Sequence, residues 1–262
     1  QQIVWNIGYD DKFIYLAMHS PHKKGTYPVA RCKANDDMGV LFEDHVEIQI
    51  CPHARKEATR PGKGFYKMMV NPKGFMIDQY LYNGTVGTEE LWSTGGETKC
   101  LVTEEFWDLE MSIEIARLGV QKLDGRSLVI QLVRTDWCGG VYFAGWAPCA
   151  WLEWNKFAEV SFDPAAPVFQ FSKAGEVMAG DLDAVINLKG SAPEARDVQI
   201  SVQIDNAEGK TVYSEKQAAS VKAGENKTVS FKKSGIPISS VNFTDKGRNF
   251  FEMRAVYKDG PK

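Results

Sequence analysis

The chain has 262 residues, with 31 basic and 34 acidic side chains and a formal net charge of −3. At roughly 150 residues per domain, that length predicts about two domains, each large enough to bury a core without staples. The near-neutral charge and the lack of a dense Lys/Arg tract argue against nucleic-acid binding, and no run approaches the roughly 18 apolar residues of a membrane span.

All seven Trp, all five Cys and all four His lie at or before Trp154. Two units of different character are therefore expected, with recognition or chemistry in the first. Cys32, Cys51, Cys100, Cys138 and Cys149 are odd in number and contain no CxxC pair, which does not suit structural zinc. Two bridges with one free thiol, or five reduced core cysteines, both remain open. The opening QQIVWN has neither a basic nor an apolar leader pattern, so an exported protein is expected to carry any leader outside this stretch.

In chain order, IVWNIGY and KFIYLAM (residues 3–18) predict two strands around Asp10 and Asp11. The HSPHKKG segment predicts a solvent-facing turn that holds His19 and His22 at HxxH spacing. HVEIQI predicts a strand with Val46, Ile48 and Ile50 facing one way and His45, Glu47 and Gln49 the other. FYKMMVN and FMIDQYLY predict a hairpin around Pro72–Gly74. EEFWDLEMSIEIARLG is rich in helix formers, yet Leu109, Met111, Ile113 and Ile115 alternate with polar residues and predict strand, with Glu110 and Glu114 on one exposed face. SLVIQLVR (127–134) and residues 157–162 complete an antiparallel unit of sandwich size.

FDPAAP (162–167) predicts a stiff linker, placing the units at 1–165 and 166–262. VFQF, DAVINLKG, DVQISVQIDN, KTVYSEK, NKTVSFK and NFFEMRAVY then predict six or seven short strands in about 95 residues, which fits an immunoglobulin-like or fibronectin-like sandwich. The expected fold class is all-β, two β-sandwich domains.

No GxSxG, HExxH or glycine-rich phosphate loop is present. The crowded carboxylates at Glu104, Glu105, Asp108, Glu110 and Glu114 read as a solvated surface, although a glycosidase would need an opposed pair. Trp137, Trp146, Trp151 and Trp154 fall within 18 residues in a glycine- and proline-broken segment. An indole presented from a loop is a platform for the apolar face of a sugar ring, and the same side chains also serve as core packing. Both readings stand.

Six segments in register resemble the carbohydrate-binding module family 9-like domains, a β-sandwich group related to the DOMON domains. They are VWNIGYDDKFIYLAM, LFEDHVEIQI, FYKMMVNPKGFMID, FWDLEMSIEIARLGV, LVIQLVR and APCAWLEWNKFAEVSF. The second unit resembles bacterial immunoglobulin-like domains. The first resemblance implies a terminal sugar held between two Trp from separate loops, with Glu, Arg, Asn and Gln on its hydroxyls. Trp151 matches the second of those Trp, Glu47 the sugar-binding glutamate, and Gln131 a polar residue of the later strand, with Arg134 nearby. Leu41 stands at the first Trp position and Met69 where an arginine is expected, so Phe42, Trp92 or Trp146 would supply the other aromatic surface. Calcium is implied too, through Asp36, Asp37 and Asp44 with Glu43 beside them. Haem would call on Met68, Met69 and His45, but methionines in an alternating strand read as core.

The leading expectation is an exported (secreted, periplasmic or surface) non-catalytic protein that binds an oligo- or polysaccharide, with calcium as the conceivable cofactor. The rivals are an interaction module of a larger surface protein whose sugar site has degenerated, and part of a carbohydrate-active enzyme.

Overall fold

The computed structural model describes residues 3–53, 64–81, 89–137, 142–147, 156–206, 208–238 and 250–257, with 89–91, 142, 178 and 250–257 as backbone. The chain divides into two compact units, Gln1–Phe162 and Asp163–Lys262.

The strands of the first unit are β1 (Val4–Tyr9), β2 (Phe13–Pro21), β3 (His45–Cys51), β4 (Phe65–Val70), β5 (Met76–Leu81), β6 (Glu89–Leu91), β7 (Thr98–Val102), β8 (Phe106–Glu114), β9 (Arg126–Asp136), β10 (Tyr142–Gly145) and β11 (Ala158–Phe162). One sheet runs β1-β2-β8-β7 and the other β10-β9-β3-β4-β5-β6, with β11 also paired to β9; all pairs are antiparallel. Side-chain chemistry sets the turns. Asp10 Oδ1 accepts from the N–H groups of Lys12 and Phe13, and Asn71 Oδ1 accepts from those of Lys73 and Phe75, which closes the hairpin with Gly74 at φ 84°.

The two sheets face each other across one core. Ile14, Leu16, Leu109, Met111 and Ile113 come from one side, and Val46, Ile48, Ile50, Met68, Leu128 and Ile130 from the other, all nearly inaccessible to water. Trp107 is fully buried among them. The period-two reading of residues 109–115 holds as far as Glu114, after which Ile115–Leu118 tightens into a 3-10 turn. The predicted turn at HSPHKKG starts later than expected. Strand β2 continues to Pro21, so His19 lies in the sheet with Nδ1 2.6 Å from Asp108 Oδ1, while His22 packs against Tyr27.

The second unit is a smaller sandwich of β12 (Val168–Lys173), β13 (Leu182–Lys189), β14 (Arg196–Asp205), β15 (Thr211–Val221), β16 (Asn226–Lys233) and β17 (Phe250–Tyr257). Its sheets are β12-β13-β16 and β15-β14-β17, and Leu182, Ala184, Ile186, Leu188 and Phe231 meet Val198, Ile200, Val202 and Ile204 between them. The boundary falls three residues before the predicted one. Phe162 ends β11 inside the first core, and Asp163 opens a turn by accepting from the N–H of Ala165.

Candidate functional site

Strand β3 departs most from the sequence reading. Its alternation is real, but every residue from His45 to Cys51 is buried, so the polar face of the strand is covered as well. The cover is assembled from distant chain. The 3-10 helix Met38–Phe42 lays Val40 on Met69 and Ile77, and Phe157 closes over Cys51, Phe65, Leu81 and Val129. Between these two apolar patches lies a belt of buried polar side chains: Glu47, Gln49, Lys67, Gln79 and Gln131.

Glu47 and Gln131, expected to read sugar hydroxyls, are consumed by this belt. Glu47 Oε1 lies 3.2 Å from His45 Nε2, its Oε2 accepts from Gln49 Nε2 at 2.9 Å, and Lys67 Nζ is 3.9 Å away. Gln131 pairs with the backbone of Ala147 in both directions, Nε2 donating to the carbonyl at 3.0 Å and Oε1 accepting from the N–H at 2.8 Å. It works as an extra stretch of strand that straps residues 145–147 to β9. Buried polar groups that satisfy one another in this way are unavailable to a ligand.

Arg134 lies on the other side of the sheet. It pairs with Val46 in the ladder, so it points into the core end of the sandwich, with Cζ 4.8 Å over the Trp107 ring. Its Nη2 donates to Asp44 Oδ1 at 2.6 Å, both side chains being buried. A sheet separates it from Glu47 and Gln131, and the three cannot grip one sugar.

The aspartates proposed for calcium do not converge either. Asp44 is spent on Arg134 and on the N–H of Val29, and Asp37 caps the 3-10 helix through Gly39 N. Asp36 sits at φ 61° and lines a separate cleft with Asp78, whose carboxyl is raised by burial and then by the Asp36 charge. Among the described residues no group of three or more His, Cys, Asp or Glu is placed to hold a metal, and these three do not fit one. Glu43, their sequence neighbour, is also committed: Oε1 accepts from Asn71 Nδ2, and Oε2 from the N–H groups of Arg31 and Cys32. Burial pushes its carboxyl up, but those donors outweigh burial and hold it below the ordinary value. Met68 and Met69 are fully buried, as their core reading expects.

Of the aromatic candidates, Trp151 lies outside the described residues. Phe42 is 66% exposed, Trp146 is 46% exposed, and Phe42 meets Trp137 edge-on at 6.5 Å. Trp92 has the richest setting. It lines a cleft of about 570 Å³ together with Asn35, Asp36, Met76, Asp78, Ser93, Thr94, Gly96 and Arg117.

The cleft follows from the edge of β5. Strand β6 pairs only with Gln79–Leu81, which leaves the start of β5 open on that side. The 35–36 loop takes part of the vacant edge, Asn35 Oδ1 accepting from Met76 N and Asp36 N donating to Met76 O. The opposite wall is the 92–96 segment. Trp92 Nε1 donates to the Arg117 carbonyl at 2.8 Å, and its ring packs on Tyr66 at 4.5 Å, which fixes the indole plane. Thr94 N donates to Asp78 Oδ2 at 2.7 Å. Gly96 lets this wall press against β8, since a Cβ there would stand 1.9 Å from the Ser112 carbonyl oxygen.

Asp78 is the perturbed group. Burial and then the charge of Asp36 push its carboxyl above the ordinary value, against the opposing pull of the Thr94 hydrogen bond. Arg117 brings the opposite charge to the rim, its Nε lying 3.4 Å from Glu114 Oε2. Sequence reasoning named Trp92 as an aromatic surface for a sugar and Asp36 as a calcium ligand, and missed Asn35, Asp78 and Arg117. For Asp78 a signal existed. Met76, Asp78 and Tyr80 share the phase of β5 that faces the core side, and an acid in an inward phase asks for a reason.

No family model and no curated protein matches the chain. Among solved structures, a calcium-binding mutant of Bacteroides uniformis beta-glucuronidase 2 aligns at 11% identity and TM-score 0.25, over 95% of this chain and 25% of that one. The same enzyme covalently bound to cyclophellitol-6-carboxylate aziridine aligns at 12% identity and TM-score 0.20, over 86% and 22%. The chain spans about a quarter of the length of those enzymes, and alignments this loose carry no argument about fold or function. No helix among the described residues is long and apolar enough to cross a membrane.

Proposed function

We propose that the first unit binds a neutral glycan without cleaving it, in the cleft beside Trp92, as part of an exported protein. The observation that carries this reading is the company Trp92 keeps: an indole held in a fixed plane, with the amide of Asn35, two carboxylates and a guanidinium around the same cleft. An aromatic face suits the apolar side of a pyranose, and a few convergent polar groups suit its hydroxyls. Two carboxylates against one guanidinium favour a neutral sugar over a uronate. The resemblance of six segments to family 9-like domains points to the same ligand class, though the residues it nominates at Glu47, Gln131 and Arg134 are engaged elsewhere.

Calorimetric titration with neutral and acidic oligosaccharides tests the reading. Binding of a neutral member is expected, weakened about tenfold or more by Trp92→Ala and by Asp78→Asn, in keeping with one lost stacking or hydrogen-bonding contact. Absence of binding to every neutral glycan, or binding that ignores both substitutions, overturns it.

One observation favours a second reading. Asp36 and Asp78 both line the cleft, and burial raises the Asp78 carboxyl above its ordinary value; two carboxyls at one cleft are what a glycosidase requires. Release of reducing ends during the same titrations, abolished by Asp78→Asn, would establish hydrolysis in place of binding.

A further inference from the structure

We propose that the first unit pairs with a second copy of itself through the free edge of β1, in an antiparallel strand-to-strand contact centred on Ile7.

Strand β1 ends its sheet, bonded to β2 on one side and to no described strand on the other. Its ladder with β2 is unbroken from Val4 to Tyr9, with no bulge and no proline. About 20 Å of regular edge is therefore presented. Sheet ends are ordinarily guarded, because unpaired N–H and C=O groups recruit another strand. Charges guard the other described sheet ends, as Glu89 does in β6, Lys99 in β7, Glu159 in β11 and Lys173 in β12, while the uncharged β10 has only four residues. The six residues of β1, VWNIGY, carry no charge at all.

The phase of the ladder decides which backbone groups point outward. Asp10 N–H donates to the Phe13 carbonyl at 3.0 Å, so the alternate residues Gly8, Asn6 and Val4 turn their N–H and C=O to β2. Trp5 and Ile7 turn theirs to the open edge, and Tyr9 shares their phase. The side chains of these three residues pack on the core yet are only half-buried. Tyr9 anchors the end of the strand, meeting Phe162 edge-on at 5.1 Å and donating to Asp124 Oδ1 at 3.0 Å.

A second copy is the occupant that fits such an edge. Two identical strands related by a twofold axis at Ile7 run antiparallel, and each Ile7 exchanges both hydrogen bonds with the other. Trp5 then stands opposite the second copy's Tyr9 on the core side, an aromatic cross-strand pair. On the outer side Asn6 meets the second copy's Gly8, whose Cβ position has nothing within 4 Å. A strand without charge brings no like charges together when it meets itself. A slip by one residue is excluded, because it would carry the apolar side chains to the outer face.

Sedimentation equilibrium of the full chain, from about 1 micromolar to 1 millimolar, tests the proposal. A dimer half-formed at about 10–100 micromolar is expected, the strength of a small interface. Ile7→Pro deletes an N–H that faces away from β2, so it should weaken the dimer about tenfold or more while the β1–β2 ladder survives. Asn6→Cys and Gly8→Cys lie on the exposed outer face and leave the core untouched. Mixed and oxidised, these two chains should form a disulfide joining position 6 to position 8, since opposed Cα atoms there lie about 4.5 Å apart. Peptide mapping identifies that bridge. A chain that stays monomeric at 1 millimolar overturns the proposal. A folded Ile7→Pro chain that dimerises as before, or a dimer that yields no 6-to-8 bridge, overturns it as well.

Discussion

Removing Asp44 should unfold the first unit more readily than any loss of a surface charge. The carboxylate is fully buried and receives Arg134 Nη2 at 2.6 Å, the Val29 N–H at 2.6 Å and the Trp137 N–H at 3.3 Å. In Asp44→Ala the guanidinium stays in the core end of the sandwich with only the Trp107 ring against it, because its Nε and Nη1 already lack hydrogen-bond partners. Breaking a buried pair by deleting one member costs about 3–5 kcal/mol, since the remaining charge is stranded. With a urea slope of about 2 kcal/mol per molar, the midpoint should fall by roughly 2 M. Tryptophan fluorescence reads this cleanly, as all seven indoles belong to the first unit and none to the second. A shift below about 0.5 M would refute the reasoning, by showing that the pair is solvated or that the core end relaxes. The same experiment separates the two roles offered for Arg134, because a core brace alters stability whereas a sugar ligand alters affinity.

Two further outcomes follow from the titrating groups. Glu43 is held below its ordinary value, so its contribution is fully present above that value and is lost as pH falls through the lowered one. Glu43→Gln should cost about 1–3 kcal/mol at pH 7, and the gap to wild type should narrow on acidification in urea titrations followed by fluorescence. Cys32 is pushed up to about 11 by burial, with Glu43 and Asp37 adding to it, so its thiolate is scarce at pH 8. A thiol reagent should label Cys32 only on unfolding, as mass spectrometry of the labelled peptides would reveal.

The reach of the sequence differs from place to place. Leu109, Met111 and Ile113 alternate cleanly, and their inward phase was legible because a sheet side chain has period two whatever the strand packs on. Strands β6, β7 and β10 were not legible. They are three to five residues long, and short edge strands carry too few alternations to be told from loops. The site was less legible than the fold. Trp92 could be named as an aromatic surface, but its partners Asn35 and Asp78 lie 57 and 14 positions away and meet it only because β5 leaves part of its edge unpaired.

The unequal placement of Trp, Cys and His was enough to divide the chain in two. Alternation was enough to fix all-β character and the inner faces of the sheets. Which polar faces would be hidden was decided only by tertiary structure. Glu47 and Gln131 occupy outward positions of their strands, and nothing in their local pattern says that Met38–Phe42, Ala147 and Phe157 will fold over that face. Burial depends on what arrives from elsewhere in the chain, whereas side-chain phase is set by the strand itself.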